Sequence, residues 1–181
     1  MKGIVYRGLE ELVIENHGMA AWEALLDKHA PKNRVYISAQ SYPDEELFAM
    51  ANEVASILNK PLVDVLRVFG EYLFGYLIKK HSRILEQFDG FQSLILGIDS
   101  VIHAEVAKLY NEPNLPQISC EQIDDKHILL NYCSVRKLCF CAEGLIYGAG
   151  AHYGMKTQID HQQCMHDGYE QCRMLLTYEG Q

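Results

Sequence analysis

Apolar residues recur at helical spacing from the start of the chain. Val5, Leu9, Leu12 and Val13 place one buried stripe on a helix from Gly3 to about Asn16, Gly18 reads as its stop, and Met19 to Lys28 resumes as a second helix. Pro31 to Tyr42 lacks the periodicity and reads as a loop. Pro43, at a first helical position, leads Leu47, Met50, Val54, Ile57 and Leu58 down one face until Asn59-Lys60 ends it. Pro61 opens another helix, with Leu62, Val65, Leu66, Phe69 and Leu73 on its stripe, to roughly Lys80. Gly90 and Phe91 begin a helix that carries His103 and stops before Pro113.

From Pro116 the period shortens. Gln117 to Glu121 and His127 to Cys133 are partly alternating segments separated by Asp124-Asp125, which predicts a hairpin. Lys137 to about Tyr153 reads as a glycine-containing helix. Thr157 to Cys164 and Gln171 to Tyr178 read as strands joined by a turn with Asp167 and Gly168. The pattern predicts an α+β fold: a helical N-terminal lobe, then a four-stranded antiparallel sheet with an inserted helix. With no repeat, low-complexity tract or linker, residues 1–181 read as one domain with approximate lobes 1–60 and 61–181.

Composition narrows the classes. At 181 residues and 49% hydrophobic, the chain suffices for one compact core and leaves no room for a second, effector domain. Sixteen basic against 24 acidic residues give a net charge of −8, and no basic stripe tracks phosphates, which argues against nucleic acid. Lys2, Arg7, Glu10 and Glu11 interrupt any signal-peptide core, and no run of eighteen apolar residues occurs, so a cytoplasmic protein with no membrane partner is expected. Six cysteines, at 120, 133, 139, 141, 164 and 172, then read as thiols or metal ligands rather than a disulfide framework.

Two constellations carry chemistry. His103 lies on a mostly apolar helix face with Leu96, Asp99, Val106 and Tyr110, and Tyr132, Ser134 and Arg136 form a YxSxR triplet 29 residues later. An imidazole offers a metal ligand, and an arginine with two hydroxyls offers an anion clamp. A haem needs both, an axial imidazole for its iron and donors for its propionates. His103 would bind through one neutral nitrogen while the other donates to a backbone carbonyl or water, and Arg136 would grip a carboxylate bidentately. The plainer reading makes His103 a hydrogen-bonded core residue, Arg136 a surface arginine, and Tyr132 and Ser134 outward strand residues. His17, His29, His81, His127, His152 and His166 read as surface or structural. Cys139, His161, Cys164 and Cys172 form the second constellation, three thiolates and an imidazole that suit tetrahedral zinc, with free buried thiols as the alternative. Cys141 is then a spare thiol, and Cys120 and Cys133 have no role beyond packing.

Met1-Lys2-Gly3, the helix with His103, Pro113 and Pro116 after it, and Tyr-Cys-Ser-Val-Arg at 132–136 resemble the H-NOX family, haem nitric oxide/oxygen binding domains similar to the haem domain of soluble guanylate cyclase. The resemblance implies ferrous haem b between the lobes, His103 on the iron, and Tyr132, Ser134 and Arg136 on the propionates. Pro116, Val5 and Leu145 match positions that press the ring out of plane in that family, although plain core packing serves as well. Oxygen-binding members carry a distal tyrosine after the YxSxR arginine. Its counterpart here falls at about Cys141, with Phe140 and Ala142 beside it, and a thiol is a weak donor. The expectation is therefore a nitric oxide sensor, also open to CO, that largely excludes oxygen and signals by releasing His103. Tyr147, on the same helix, would make it an oxygen binder if the register shifts. Resemblance to stand-alone bacterial members implies a separate partner, a histidine kinase or else a cyclic-di-nucleotide enzyme, and a cysteine-rich subset that binds zinc. No distal acid/base pair suggests an enzyme. A zinc and thiol redox sensor is the alternative function, and a plain haem carrier a third.

Overall fold

The computed structural model describes residues 1–109 and 114–180. Helices α1 (Gly3–His17) and α2 (Met19–His29) flank Gly18, whose φ of 82° lies in the left-handed region that glycine enters without penalty. Helix α3 (Asp44–Leu58) starts after Pro43 with Asp44, Glu45 and Glu46 in its first turn, where the helix dipole favours acids, and ends at Asn59 with φ 49°. Helix α4 (Leu62–Lys80) follows Pro61. A 3-10 turn, Ser82–Gln87, comes next; the apolar pattern does not reveal it.

The helix expected to carry His103 is three pieces: α5 (Phe91–Leu96), a π-helical turn (Ile98–His103) and α6 (Ala104–Leu109). The cause lies at Gly97. Its carbonyl accepts from both Val101 (2.9 Å) and Ile102 (3.2 Å), which widens the turn, and a Cβ at this position would stand 2.5 Å from the Phe88 ring. Tyr110 and Pro113, which entered the expected face and end of that helix, lie outside the described residues.

Strands β1 (Gln117–Asp124) and β2 (His127–Cys133) form the expected hairpin, α7 (Cys139–His152) follows, and β3 (Met155–Gln163) and β4 (Cys172–Gly180) complete an antiparallel sheet in the order β1-β2-β4-β3. The α+β class and the inserted helix are as the sequence pattern has them. Cys164 lies just past β3, whose register against β4 shifts between His161 and Gln163.

Two apolar clusters form the core. Tyr6, Leu9, Trp22, Met50, Leu66, Phe69 and Leu73 bury among α1 to α4, and α4 lies between this cluster and α7. Ile128, Leu130, Tyr132, Met174 and Leu176, from alternate positions of β2 and β4, bury with α5 and α7. Helix α7 is apolar on nearly every side because it lies between α4 and the sheet. The α4–α7 crossing is very close: a Cβ on Gly70 would stand 3.0 Å from the Cys141 carbonyl carbon, and one on Gly144 2.8 Å from the Glu71 nitrogen. Among the described residues, no helix is long and apolar enough to cross a membrane.

Candidate functional site

Between the two clusters lies a cavity of about 360 Å³ whose wall is mostly aliphatic and aromatic, with Ile4 and Val5 from α1, Leu66, Phe69 and Leu73 from α4, and Leu94, Ile102 and Leu130 opposite. All seven residues assigned to a haem from the sequence (Val5, His103, Pro116, Tyr132, Ser134, Arg136 and Leu145) line this one cavity. The break at Gly97 brings His103 to its edge, with the side chain only 15% exposed. His103 Nδ1 lies 3.2 Å from Asp99 Oδ1, one wide turn earlier. A carboxylate thus stands in place of the expected carbonyl or water, and a proton on Nδ1 leaves Nε2 as the nitrogen with a free lone pair.

The polar end of the cavity is built from the β2–α7 connection. Tyr132 belongs to the inward row of β2, not the outward one, and is 3% exposed. Its hydroxyl accepts from the Leu138 N–H at 3.2 Å, and burial pushes its pKa up to about 12, so it stays a protonated donor. Ser134 Oγ accepts from the Arg136 N–H at 3.2 Å. Arg136 donates from Nε to Asp44 Oδ2 and from Nη1 to the Asn114 carbonyl, each at 2.5 Å. Asp44 also pairs with the amino-terminal nitrogen of Met1. Burial raises the Asp44 carboxyl, but the ammonium and guanidinium outweigh it and hold it below the usual carboxylate range. Arg136 thus ties α3 to the β2–α7 connection, and these two bonds take two of its five N–H donors. The sequence did not point to Asp44.

On α7, Cys141, Ala142, Leu145, Ile146 and Ala149 face the cavity. Burial alone pushes the Cys141 thiol up to about 12, leaving a neutral thiol, which donates hydrogen bonds poorly. Tyr147 is not on the cavity wall; burial raises its hydroxyl, with Glu143 beside it. Phe140 also points elsewhere, 5.5 Å from the ring of His161 and 5.4 Å from that of His166.

The opposite side of α7 carries the second constellation. One ligand atom each from Cys139, His161, Cys164 and Cys172 lies within 4.8 Å of the others. Cys139 opens α7, His161 and Cys164 come from the end of β3, and Cys172 opens β4. The Sγ of Cys164 stands 3.8 Å from that of Cys139 and 4.0 Å from that of Cys172. His161 Nδ1 lies 2.5 Å from Glu143 Oε1, whereas its Nε2 is buried without a hydrogen-bond partner. A buried lone pair beside three thiols is costly as it stands and matches what a soft, tetrahedral cation needs. Glu143 is only 2% exposed, and its other oxygen accepts from Arg67 Nε at 2.6 Å. One signal of this pair was present in the sequence: Glu143 is the single charge in the apolar stretch Cys139 to Ala151. Cys120 and Cys133 lie outside the cluster, on β1 and β2.

The Haem-NO-binding family model matches residues 2–161. The crystal structure of an H-NOX protein from S. oneidensis in the Fe(II)NO ligation state shares 47% identity over 99% of this chain and 100% of that one, with a TM-score of 0.97. The NMR structure of the H103G mutant of an H-NOX domain from Shewanella oneidensis, in the Fe(II)CO ligation state, shares 46% identity over the full length of both chains, with a TM-score of 0.92. The soluble guanylate cyclase gcy-32 of Caenorhabditis elegans is 26% identical over 148 residues, 75% of this chain, which spans 20% of the cyclase. With its apolar cavity and the imidazole at the cavity edge, the chain belongs to the H-NOX family of haem-based NO/O2 gas-sensing domains.

Proposed function

We propose that this domain is a nitric oxide sensor that excludes oxygen, with ferrous haem b seated in the cavity on His103 and its propionates met by Tyr132, Ser134 and Arg136. Haem seated there would supply an iron that can take the His103 imidazole and a diatomic gas, and nitric oxide would weaken its hold on His103. The observation that carries the choice of gas is the wall of α7: a neutral Cys141 thiol with Ala142 and Leu145, while Tyr147 is off the cavity. Bound oxygen gathers negative charge and needs a strong donor, whereas nitric oxide needs none. Val5, Leu145 and Pro116, on the cavity wall, would press on a bound ring. His103 sits on a π-helical turn, and its carboxylate partner Asp99 is largely exposed, so that contact would oppose release of the histidine only weakly. Its release lets α5, the π turn and α6 move, and a cytoplasmic histidine kinase, or else a cyclic-di-nucleotide enzyme, reads the change; no catalytic role is assigned. Absorption spectra of the reduced protein test the gas choice. Nitric oxide is expected to give a five-coordinate spectrum and air to leave the ferrous bands in place, apart from slow oxidation. A stable new spectrum in air, reversed by removing oxygen, would contradict it.

A second reading concerns the cysteine cluster. The unpartnered His161 Nε2 among three thiols supports zinc on Cys139, His161, Cys164 and Cys172. The purified protein is expected to carry one zinc per chain. At free zinc a thousandfold above Kd, binding stabilises the folded state by about 4 kcal/mol, so a strong chelator should lower Tm and Cys164→Ser should remove the metal. Metal-free protein with freely titrating thiols would sink this reading. The same thiols would then support the redox-sensor alternative.

A further inference from the structure

We propose that Glu143 is a positioning residue for the zinc site: it fixes the ring and tautomer of His161, and Arg67 completes the shell from α4. This rests on the zinc reading above. A carboxylate buried in the middle of an apolar helix is expensive, and an apolar residue would pack there at less cost. The ion pair with Arg67 does not account for it, because Arg67 is 36% exposed and reaches a surface carboxylate, Asp64, at 3.1 Å as well. The informative contact is the other oxygen, 2.5 Å from His161 Nδ1.

A carboxylate accepts hydrogen bonds and cannot donate one, so it requires the proton on Nδ1. The lone pair then stands on Nε2, the atom that is buried, unpartnered and grouped with the three sulfurs. The opposite tautomer would set lone pair against lone pair at Glu143 and aim an N–H at the thiols. Cys139 and Glu143 are four residues apart, so one face of α7 presents both a metal ligand and the group that orients another. Arg67 follows Leu66, a cavity residue, and its guanidinium stands 5.0 Å from the Phe140 ring that packs on His161. The shell of the metal site therefore reaches the helix that walls the haem cavity.

The test compares wild type, Glu143→Leu and Glu143→Gln in the full chain, reading zinc affinity by competition with a chromophoric chelator and the d–d bands of the cobalt(II)-substituted protein. Glu143→Leu is expected to lose roughly 10- to 100-fold in affinity and to shift the cobalt bands away from three-thiolate, one-imidazole coordination. Glu143→Gln, whose amide oxygen still accepts from Nδ1, should restore the bands and most of the affinity. A purely structural role would lower Tm without moving the bands. Should the leucine variant not fold, Glu143→Asp keeps a charge for Arg67 but withdraws the carboxylate by one methylene, and it is expected to weaken zinc and shift the bands likewise. Wild-type affinity and bands in whichever of Glu143→Leu and Glu143→Asp folds would overturn the inference while the zinc site stood. Wild-type protein that binds neither zinc nor cobalt would overturn both.

Discussion

Gly144→Ala is expected to lower Tm by roughly 6–12 °C, the equivalent of about 3 kcal/mol in a chain of this size. A Cβ there would meet the Arg67 carbonyl well inside van der Waals contact, with the Glu71 nitrogen 2.8 Å away. Both are backbone atoms of α4, so no rotamer change relieves the clash and the helices must part. Alanine's better helix propensity returns only about 1 kcal/mol, so the clash wins. Gly75→Ala is the control. Gly75 lies on α4 with nothing within 4 Å of the added Cβ, and the substitution should stabilise by roughly 0.5–1 kcal/mol. Thermal melts of the two variants check the pair. The crossing at Gly144 also carries Cys141 on the cavity side and Glu143 on the other, so parting the helices should loosen the cavity and the cysteine cluster together.

His103→Gly is expected to abolish the five-coordinate ferrous spectrum and to recover it when free imidazole is added. The cavity supports this expectation: its apolar wall and the donors Tyr132, Ser134 and Arg136 remain when the side chain is gone. The H103G mutant of the Shewanella oneidensis domain was itself determined in the Fe(II)CO ligation state. Absorption titration with imidazole is the measurement. An unchanged ferrous spectrum in the variant would mean that another residue holds the iron.

The parts of the fold that were legible in the sequence follow from periodic burial. Helices α1 to α4 each bury one face, and β2 and β4 alternate, so their apolar spacing maps directly onto structure. The segment with His103 was not read correctly, because a π turn keeps residues apolar without announcing where the ladder widens. Gly97 was the only punctuation, and its effect depends on contact with Phe88, which the linear pattern does not show. The glycines of α7 were visible, but their role depends on which helix lies across them.

The site divides in the same way. Of the residues named for the chemistry their side chains offer, His103 and Arg136 line one cavity, and Cys139, His161, Cys164 and Cys172 bring ligand atoms within 4.8 Å of one another. Those that act on other residues were missed: Asp44 behind Arg136, and Arg67 and Glu143 behind His161. Their partners are 92, 76 and 18 residues away in sequence, with no local spacing to betray them. Glu143 alone left a trace, as a charge where the pattern called for none.

In the proposed mechanism His103 holds the haem iron and lets go when nitric oxide arrives. Resonance Raman spectroscopy of the ferrous protein reads that bond directly. An iron–imidazole stretch that is present in the reduced protein, absent in His103→Gly and lost on adding nitric oxide is the predicted result. A stretch that persists with nitric oxide bound would contradict release of the histidine, and one that survives in His103→Gly would contradict its identity.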